Sequence, residues 1–358
     1  MPNPLLAQIE TLSARWTGVG KLLNRSTACI GLDVGSFSLK ALLVSGSFAV
    51  PRLKRMALKN FPPLADQRQK AEIIRSVVNS LNGGREVPIV TGVGGVGTVL
   101  RSVSLPEMSE KELKAAFSFE AEKYIPFKLE ETFFDSCILG KRPGGRMEVL
   151  VAAARKELVN AHLELLSAAG VIPHIVDLES LALGNAWGFC RPGTGGESKV
   201  TALLHVGARG TILDFFEGSQ LQFTREIPIG GDSFTKAFAE NLRLSVAEAE
   251  KVKCQQADRA PDVRAALESA WEDWLSQCRV SFDFFENQFG RKVEQLVLSG
   301  GSARLIGFKE KVFHSVGLPT DEWNPAAGFL SDVDQQELVS AGSSLAVAVG
   351  LAIRGVAG

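Results

Sequence analysis

Two glycine-tight hairpins in separate halves of the chain limit what this sequence can fold into. The first is Ile30–Lys40, IGLDVGSFSLK, and the second is Leu203–Leu213, LLHVGARGTIL. Each reads as a strand, a bend of glycine with small or hydroxyl residues, and a second strand. Asp33 closes the first strand, and Gly35, Ser36, Phe37 and Ser38 make the first bend. His205 stands where Asp33 does, and Gly207, Ala208, Arg209, Gly210 and Thr211 make the second bend. Two such bends, one per half, can confront each other across a cleft and surround phosphates with backbone N–H groups. A duplicated core, a central cleft and a ligand are therefore expected together.

The chain has 358 residues, enough for two domains. Its net charge of −1 gives no electrostatic case for nucleic-acid binding. The five cysteines are scattered and lack a Cys-x-x-Cys pair, and the four histidines lack metal-ligand spacing. Neither a disulfide framework nor a zinc site is expected, and a reducing compartment fits. No charged-then-apolar signal opens the chain, and Leu345–Ile353 is too short and too rich in Ala and Gly for a membrane span, so it reads as a buried helix.

In residues 1–25, Leu5, Ile9, Leu12, Trp16, Val19 and Leu23 share one helical face, either of a loosely docked terminal helix or of one that meets a partner or membrane. A helix is expected over Lys70–Leu81. Thr91–Gly97, TGVGGVG, superficially suggests a dinucleotide loop, but an extended run follows it, so a turn between two strands is expected. A helix over Glu110–Tyr124 with a Ser109/Glu112 capping box, strands at Thr132–Leu139 and Met147–Ala154, and a helix at Lys156–Ala169 make an inserted subdomain. After Arg191–Lys199, a polar linker, the second half repeats the scheme. A third strand is expected at Leu221–Ile229, with helices at Ser233–Leu242 and Val246–Gln256 and one long helix or a broken pair over Asp262–Phe289. Strand Val293–Leu298 then runs into Ser299–Ala303, with helices at Leu305–Val316 and Ser344–Arg354.

Asp33 at a strand end beside glycines can hold the water shell of a magnesium ion. Ser36 and Ser38 supply hydroxyls, and Lys40 lies two strand positions past Ser38, on the same face, within reach of a phosphate. The plainer alternative is a β-hairpin whose Asp caps the turn. In Leu298–Ala303, LSGGSA, Gly300, Gly301 and Ser302 let the backbone approach a flat ligand ahead of a helix N-terminus.

This order of glycine turns resembles the actin-like ATPase superfamily, which includes actin, Hsp70 chaperones, sugar kinases and FtsA. Leu105–Ser109 (LPEMS), Phe119–Phe127 (FEAEKYIPF), Val151–Leu158 (VAAARKEL), Phe223–Pro228 (FTREIP) with Gly230-Gly231, and Ala247–Lys253 (AEAEKVK) are similar to the type IV pilus assembly PilM family. The resemblance runs from about Ala28 to the C-terminus. It implies an α/β fold of two actin-like (RNase H-like) domains around a nucleotide cleft, with a small α+β subdomain inserted in the first. The first domain then takes residues 26–103 and 173–197, and the insert 104–172. The second domain takes 198–232 and 293–358, with a helical subdomain at 233–292.

The resemblance also implies ATP or ADP in the cleft, Lys251 among the nucleotide contacts, and Asp177 or Glu179 near the attacking water. It implies a cytoplasmic protein, peripheral at the inner membrane through other pilus platform proteins. Its partner would be the N-terminal cytoplasmic tail of a PilN-like single-pass membrane protein, in a groove between the first domain and the insert. Arg101, Glu120, Tyr124, Pro126 and Phe127 are the groove candidates, although Tyr124 and Phe127 also suit the insert's core.

Two departures bear on chemistry. His205 replaces an Asp: a neutral imidazole cannot stand in for a carboxylate beside hydrated Mg2+, whereas a protonated one can pair with phosphate. Arg209 in the bend either crowds the phosphates or grips them. Glu179 is either a general base or a partner of the helix dipole. The expectation is an adaptor with a weakly hydrolytic or inactive site, Mg2+ being held through water by Asp33 or lost because of His205. The rivals are a sugar or small-molecule kinase, which needs both acids, and an FtsA-like filament-forming tether, which needs a C-terminal amphipathic membrane helix.

Overall fold

The computed structural model describes residues 28–47, 49–190, 199–255, 261–305 and 307–356. The amphipathic stretch in 1–25 lies outside the described residues. The first domain opens with β1 (Ala28–Val34), β2 (Ser38–Ser47), β3 (Val50–Asn60), α1 (Gln67–Asn82) and β4 (Ile89–Val93). The insert follows as β5 (Thr98–Pro106), α2 (Glu110–Glu120), β6 (Thr132–Arg142) and β7 (Arg146–Arg155). The chain returns through α3 (Lys156–Ala168), β8 (Ile175–Leu178) and α4 (Glu179–Cys190). The second half runs β9 (Val200–Val206), β10 (Thr211–Glu217), β11 (Gln220–Ile227), α5 (Gly231–Leu242), α6 (Val246–Gln255), α7 (Pro261–Phe289), β12 (Gln295–Ser299), α8 (Phe308–Val316) and β13 (Thr320–Glu322). It closes with β14 (Leu330–Ser331), α9 (Gln335–Ala341) and α10 (Ala346–Val356).

The duplication is visible in the sheets. The first has the order β3-β2-β1-β4-β8, extended beyond β3 by β14, and the second has the order β11-β10-β9-β12-β13. In each, the three leading strands are antiparallel neighbours and the last two add in parallel. The insert is a separate antiparallel sheet, β5-β7-β6. Both hairpins begin on strands covered on both faces, so β1 and β9 read as near-continuous apolar runs rather than alternating ones. Ile30 and Leu32 of β1 pack with α1, whereas Cys29 packs with α10.

Local signals explain several boundaries. The Ser109/Glu112 capping box starts α2, and its helix gives way to a 3-10 turn at Ala121–Lys123 before Pro126. A second capping box, Asp66 with Gln69, starts α1, and Gly83 in the left-handed region ends it. Strand β3 has no such signal. Its sequence, VPRLKRMALKN, is basic and helix-tolerant, and it is a strand because β2 pairs with it along its length.

The C-terminal boundary differs from the sequence expectation. The resemblance places residues 293–358 in the second domain, but β14 pairs with β3 and α10 packs on β1, β2, β4 and α4. Small residues make this possible. A Cβ on Gly350 would lie 1.6 Å from the Ala182 carbonyl oxygen of α4, and one on Gly31 would lie 2.3 Å from the Ala348 carbonyl oxygen. Gln335–Val356 is long and apolar enough to cross a membrane, but 83% of its most apolar window is buried within the protein.

Helices α4 and α10 thus lie in a core to which both large sheets contribute. Leu42, Val44 and Val90 enter from the first sheet, and Leu203, Ile212, Phe216 and Val297 from the second. Trp187 of α4 stacks on Phe216 at 5.0 Å and meets Trp323 edge-on at 5.5 Å. Gly350→Ala is expected to lower stability by about 3 kcal/mol through overpacking, read as a fall in the urea midpoint at unchanged slope. An unchanged midpoint would refute backbone-to-backbone docking.

Candidate functional site

The two hairpin bends open on one cavity of about 1110 Å3 between the domains. They share the same closing hydrogen bond. Gly35 N–H donates to Ser38 O at 3.1 Å, and Gly207 N–H donates to Gly210 O at 2.9 Å. The cavity wall includes Asp33, Gly35, Ser36, Phe37, Ser38 and Lys40 from the first hairpin and His205, Gly207, Ala208, Arg209 and Thr211 from the second. Glu179, Gly301 and Ser302 also line it.

Lys251 and Gly300 do not line the cavity. Lys251 is exposed on α6, while Lys253, two positions on and so on another side of the helix, is buried against the cavity. Gly300 has φ +91, and a Cβ there would lie 2.4 Å from Val206 O, so it serves the passage of the β12 turn under β9. Ser302 spends its hydroxyl on the hairpin itself, donating to Gly207 O at 3.0 Å. Gly230 closes on the same bend: a Cβ there would meet Gly207 O and Gly210 N, each at 2.7 Å.

Asp33 and Lys40 face each other across the β1–β2 pair, and Lys40 Nζ lies 3.1 Å from Asp33 Oδ2. The ammonium that the sequence offers to a phosphate is therefore paired with the carboxylate that it offers to a metal. Opposite stands His205. Ser299 Oγ donates to Ser343 O at 3.0 Å, so it accepts from His205 Nδ1–H at 3.1 Å. Burial, with the nearby Lys40 charge, pushes the His205 pKa down to about 3. Without a bound anion the ring is neutral at physiological pH, with Nε2 as an acceptor.

A lysine-paired carboxylate and a neutral imidazole do not fit a Mg2+ ion bound directly by protein oxygens. Among the described residues, no group of three His, Cys, Asp or Glu side chains could hold a metal ion.

Glu179, at the start of α4, lies under Gly94, whose added Cβ would be 2.5 Å from Glu179 Oε2. Burial, together with the charges of Asp33 and Glu226, pushes its pKa up to about 8. At neutral pH it mostly keeps its proton.

Several cavity residues were not singled out from the sequence. Glu226 of β11 accepts from Gly95 N–H at 3.0 Å and from the Thr98 hydroxyl, and burial pushes its pKa up to about 7. Lys253 donates to Gly231 O at 3.1 Å and Thr235 Oγ1 at 2.7 Å, and pairs with Glu250 at 2.6 Å. The i,i+3 spacing of Glu250 and Lys253, after the Gly230-Gly231 pair, was the available signal. His162 of α3 contacts Thr91 Oγ1 at 2.9 Å and, by burial, is depressed to about 4. Its sequence surroundings carry no such signal.

The groove candidates are divided between the insert's core and its surface. Tyr124 stacks near Phe117 at 5.9 Å, and the Arg155 guanidinium lies 4.7 Å over the Phe127 ring. Both aromatics belong to the core between α2 and the sheet, while Arg101 and Pro126 are exposed. The Glu120 side chain lies outside the described residues. Strand alternation turns Leu100, Ala152, Ala154 and Phe133 the other way, into a cluster with Leu163 of α3 and Leu178. Asp135, across from Ala152, shares that face. Near it, Arg354 of α10 lies 3.9 Å from Asp177. Burial raises the Asp135 pKa, with Lys114 and Arg354 opposing.

A family model described as type IV pilus assembly protein PilM matches residues 31–356. The cell division protein FtsA of Bacillus subtilis (strain 168) is 32% identical over 117 residues, 32% of this chain. That match spans only 26% of the FtsA length. Among solved structures, a chain of a PilM–PilN type IV pilus biogenesis complex matches with a TM-score of 0.81 and 29% identity, over 93% of this chain and 99% of that one. The ethanolamine utilization protein EutJ from Carboxydothermus hydrogenoformans matches with a TM-score of 0.54 and 14% identity, over 92% of this chain and 90% of that one, a likeness of fold alone.

Glu179 predicts a pH dependence. Its pKa is raised on folding, so its stabilising effect is complete below its ordinary value of 4.5 and is lost as pH rises through about 8. His162 and His205 have lowered values and act only as pH falls from 6.5 toward about 4 and 3. Between pH 6.5 and 8, the ligand-free wild type should lose about 1 kcal/mol more stability than Glu179→Gln in urea titrations. Parallel curves would contradict the buried, protonated carboxyl.

Proposed function

Because this chain belongs to the type IV pilus assembly protein PilM family, we propose that it is an actin-fold adaptor of a pilus-type inner-membrane platform. In this reading it works in the cytoplasm, binds ATP or ADP in the cleft, hydrolyses it little or not at all, and captures the N-terminal cytoplasmic tail of a PilN-like membrane protein. The observation that carries the nucleotide reading is the pair of matching glycine bends facing one cavity. Backbone amides there suit a polyphosphate. The Lys253–Glu250–Thr235 group offers polar partners for a nucleoside.

The low-turnover reading follows from the acids. The Asp33 carboxylate is paired with Lys40, Glu179 mostly holds its proton, and His205 is neutral. The same facts weigh against a sugar kinase. Calorimetry should show ATP binding that Mg2+ strengthens by less than about tenfold, or 1.4 kcal/mol. Asp33→Ala should leave any residual hydrolysis unchanged. Robust Mg2+-dependent turnover abolished by Asp33→Ala would overturn this reading.

For the partner, the face carrying Asp135, opposite Asp177 and Arg354, is the better site. The outer edge of β6 is unpaired in its sheet, so an extended tail can add as a strand. The half-buried Asp135 carboxyl there favours a tail with a free amino terminus or a basic residue beside it. A synthetic peptide of the PilN-like tail from the same source should bind. Asp135→Lys should weaken it by about tenfold or more, and Arg101→Ala should change it by less than about twofold. No binding at all would remove the main support for the adaptor.

A further inference from the structure

The turn Gly94–Gly97 is where the chain leaves the first domain for the insert, between β4 and β5. It is made of three glycines and Val96, which is 76% exposed. Gly95 and Gly97 sit at φ +96 and +125, where only glycine is unstrained. Side chains of the turn itself do little to hold it. Outside contacts do: Glu179 lies beneath Gly94, and Glu226, reaching from the second domain, accepts hydrogen bonds from Gly95 N–H and the Thr98 hydroxyl. The return crossing is tied to the same place, since Arg155 N–H donates to Gly97 O at 2.9 Å.

Glu226 is well placed to report on the cleft. It lies on β11, whose next residue sits under the second bend: a Cβ on Gly210 would be 2.9 Å from Ile227 O. Its second oxygen, Oε2, is buried and has no hydrogen-bond partner among the described residues. The carboxylate is therefore committed on one side only. A shift of the second hairpin around a ligand moves β11, Glu226 and the turn as a connected series. Past the turn, Arg155 covers Phe127 in the insert.

We propose that Glu226 is a cross-domain latch that couples ligand occupancy of the cleft to the position of the inserted sheet, and so to the groove beside it. The coupling to a peptide rests on the adaptor reading, whereas the latch itself does not. Coupling of this kind needs an element with two arrangements that both sites bias, and the glycine turn is that element. Glu226 is a positioning residue here; no chemical step passes through it.

The test uses the full chain with a non-hydrolysable ATP analogue as probe, as wild type, Glu226→Ala and Thr98→Val. Amide hydrogen exchange is followed at residues 94–98 and along β5. In wild type the analogue should change exchange at these amides by about fivefold or more, and it should strengthen PilN-tail peptide binding by a similar factor. Thr98 does not line the cavity, so Thr98→Val should reduce both effects while the analogue still binds, and Glu226→Ala should abolish them at saturating analogue. An analogue effect at residues 94–98 that persists in Glu226→Ala, or none in wild type, overturns the latch. If the analogue does not bind wild type, both the latch and the nucleotide reading fall. If the peptide does not bind while the exchange response depends on Glu226, the adaptor reading falls and the latch stands.

Discussion

Where Gly350 of α10 meets the carbonyl of Ala182 on α4, and Ala348 meets Gly31 on β1, no side chain separates the backbones. That contact fixes the depth at which α10 sits. It brings the end of the chain onto its first strand and sets α4 beside it in the core that both sheets share. Glu179 opens α4 and Asp33 lies near the end of β1, so these two acids of the cleft take their positions from this packing. Small residues here are a requirement of close approach, since even one methyl group would force the helix off the strand.

Charge in the cleft follows from the same burial. Asp33 has its ammonium partner in Lys40, whereas Glu179 and Glu226 have none and are pushed toward neutrality by desolvation. Pairing Asp33 with Lys40 and keeping Glu179 protonated limits the bare negative charge buried in the cleft. It can then receive an anion at the two bends without first expelling carboxylate charge. His205 completes the arrangement as an uncharged ring fixed by Ser299.

Much of the fold was legible because its signals are local. The glycine bends and the Ser109/Glu112 box are written within a few residues of where they act. Strand β3 was not legible, because its basic, helix-tolerant sequence becomes a strand only through pairing with β2. Lys251 and Lys253 lie in one charged run, and only the docking of α6 puts Lys253 rather than Lys251 against the cavity. Glu226 stood in a run noticed for its family likeness, but its role depends on Gly95 and Thr98, which are more than a hundred residues away.

The sequence alone determined that two similar halves would each present a glycine bend, that a small subdomain interrupts the first, and that the second bend carries a histidine. Local conformational preference and short-range periodicity encode such things directly. Tertiary structure alone decided that α10 belongs with the first sheet, that His205 is neutral, that Lys40 is spent on Asp33, and which face of the insert looks toward the first domain. Each of these depends on burial or on contact between distant segments. Desolvation and long-range packing have no signature in any short stretch of residues.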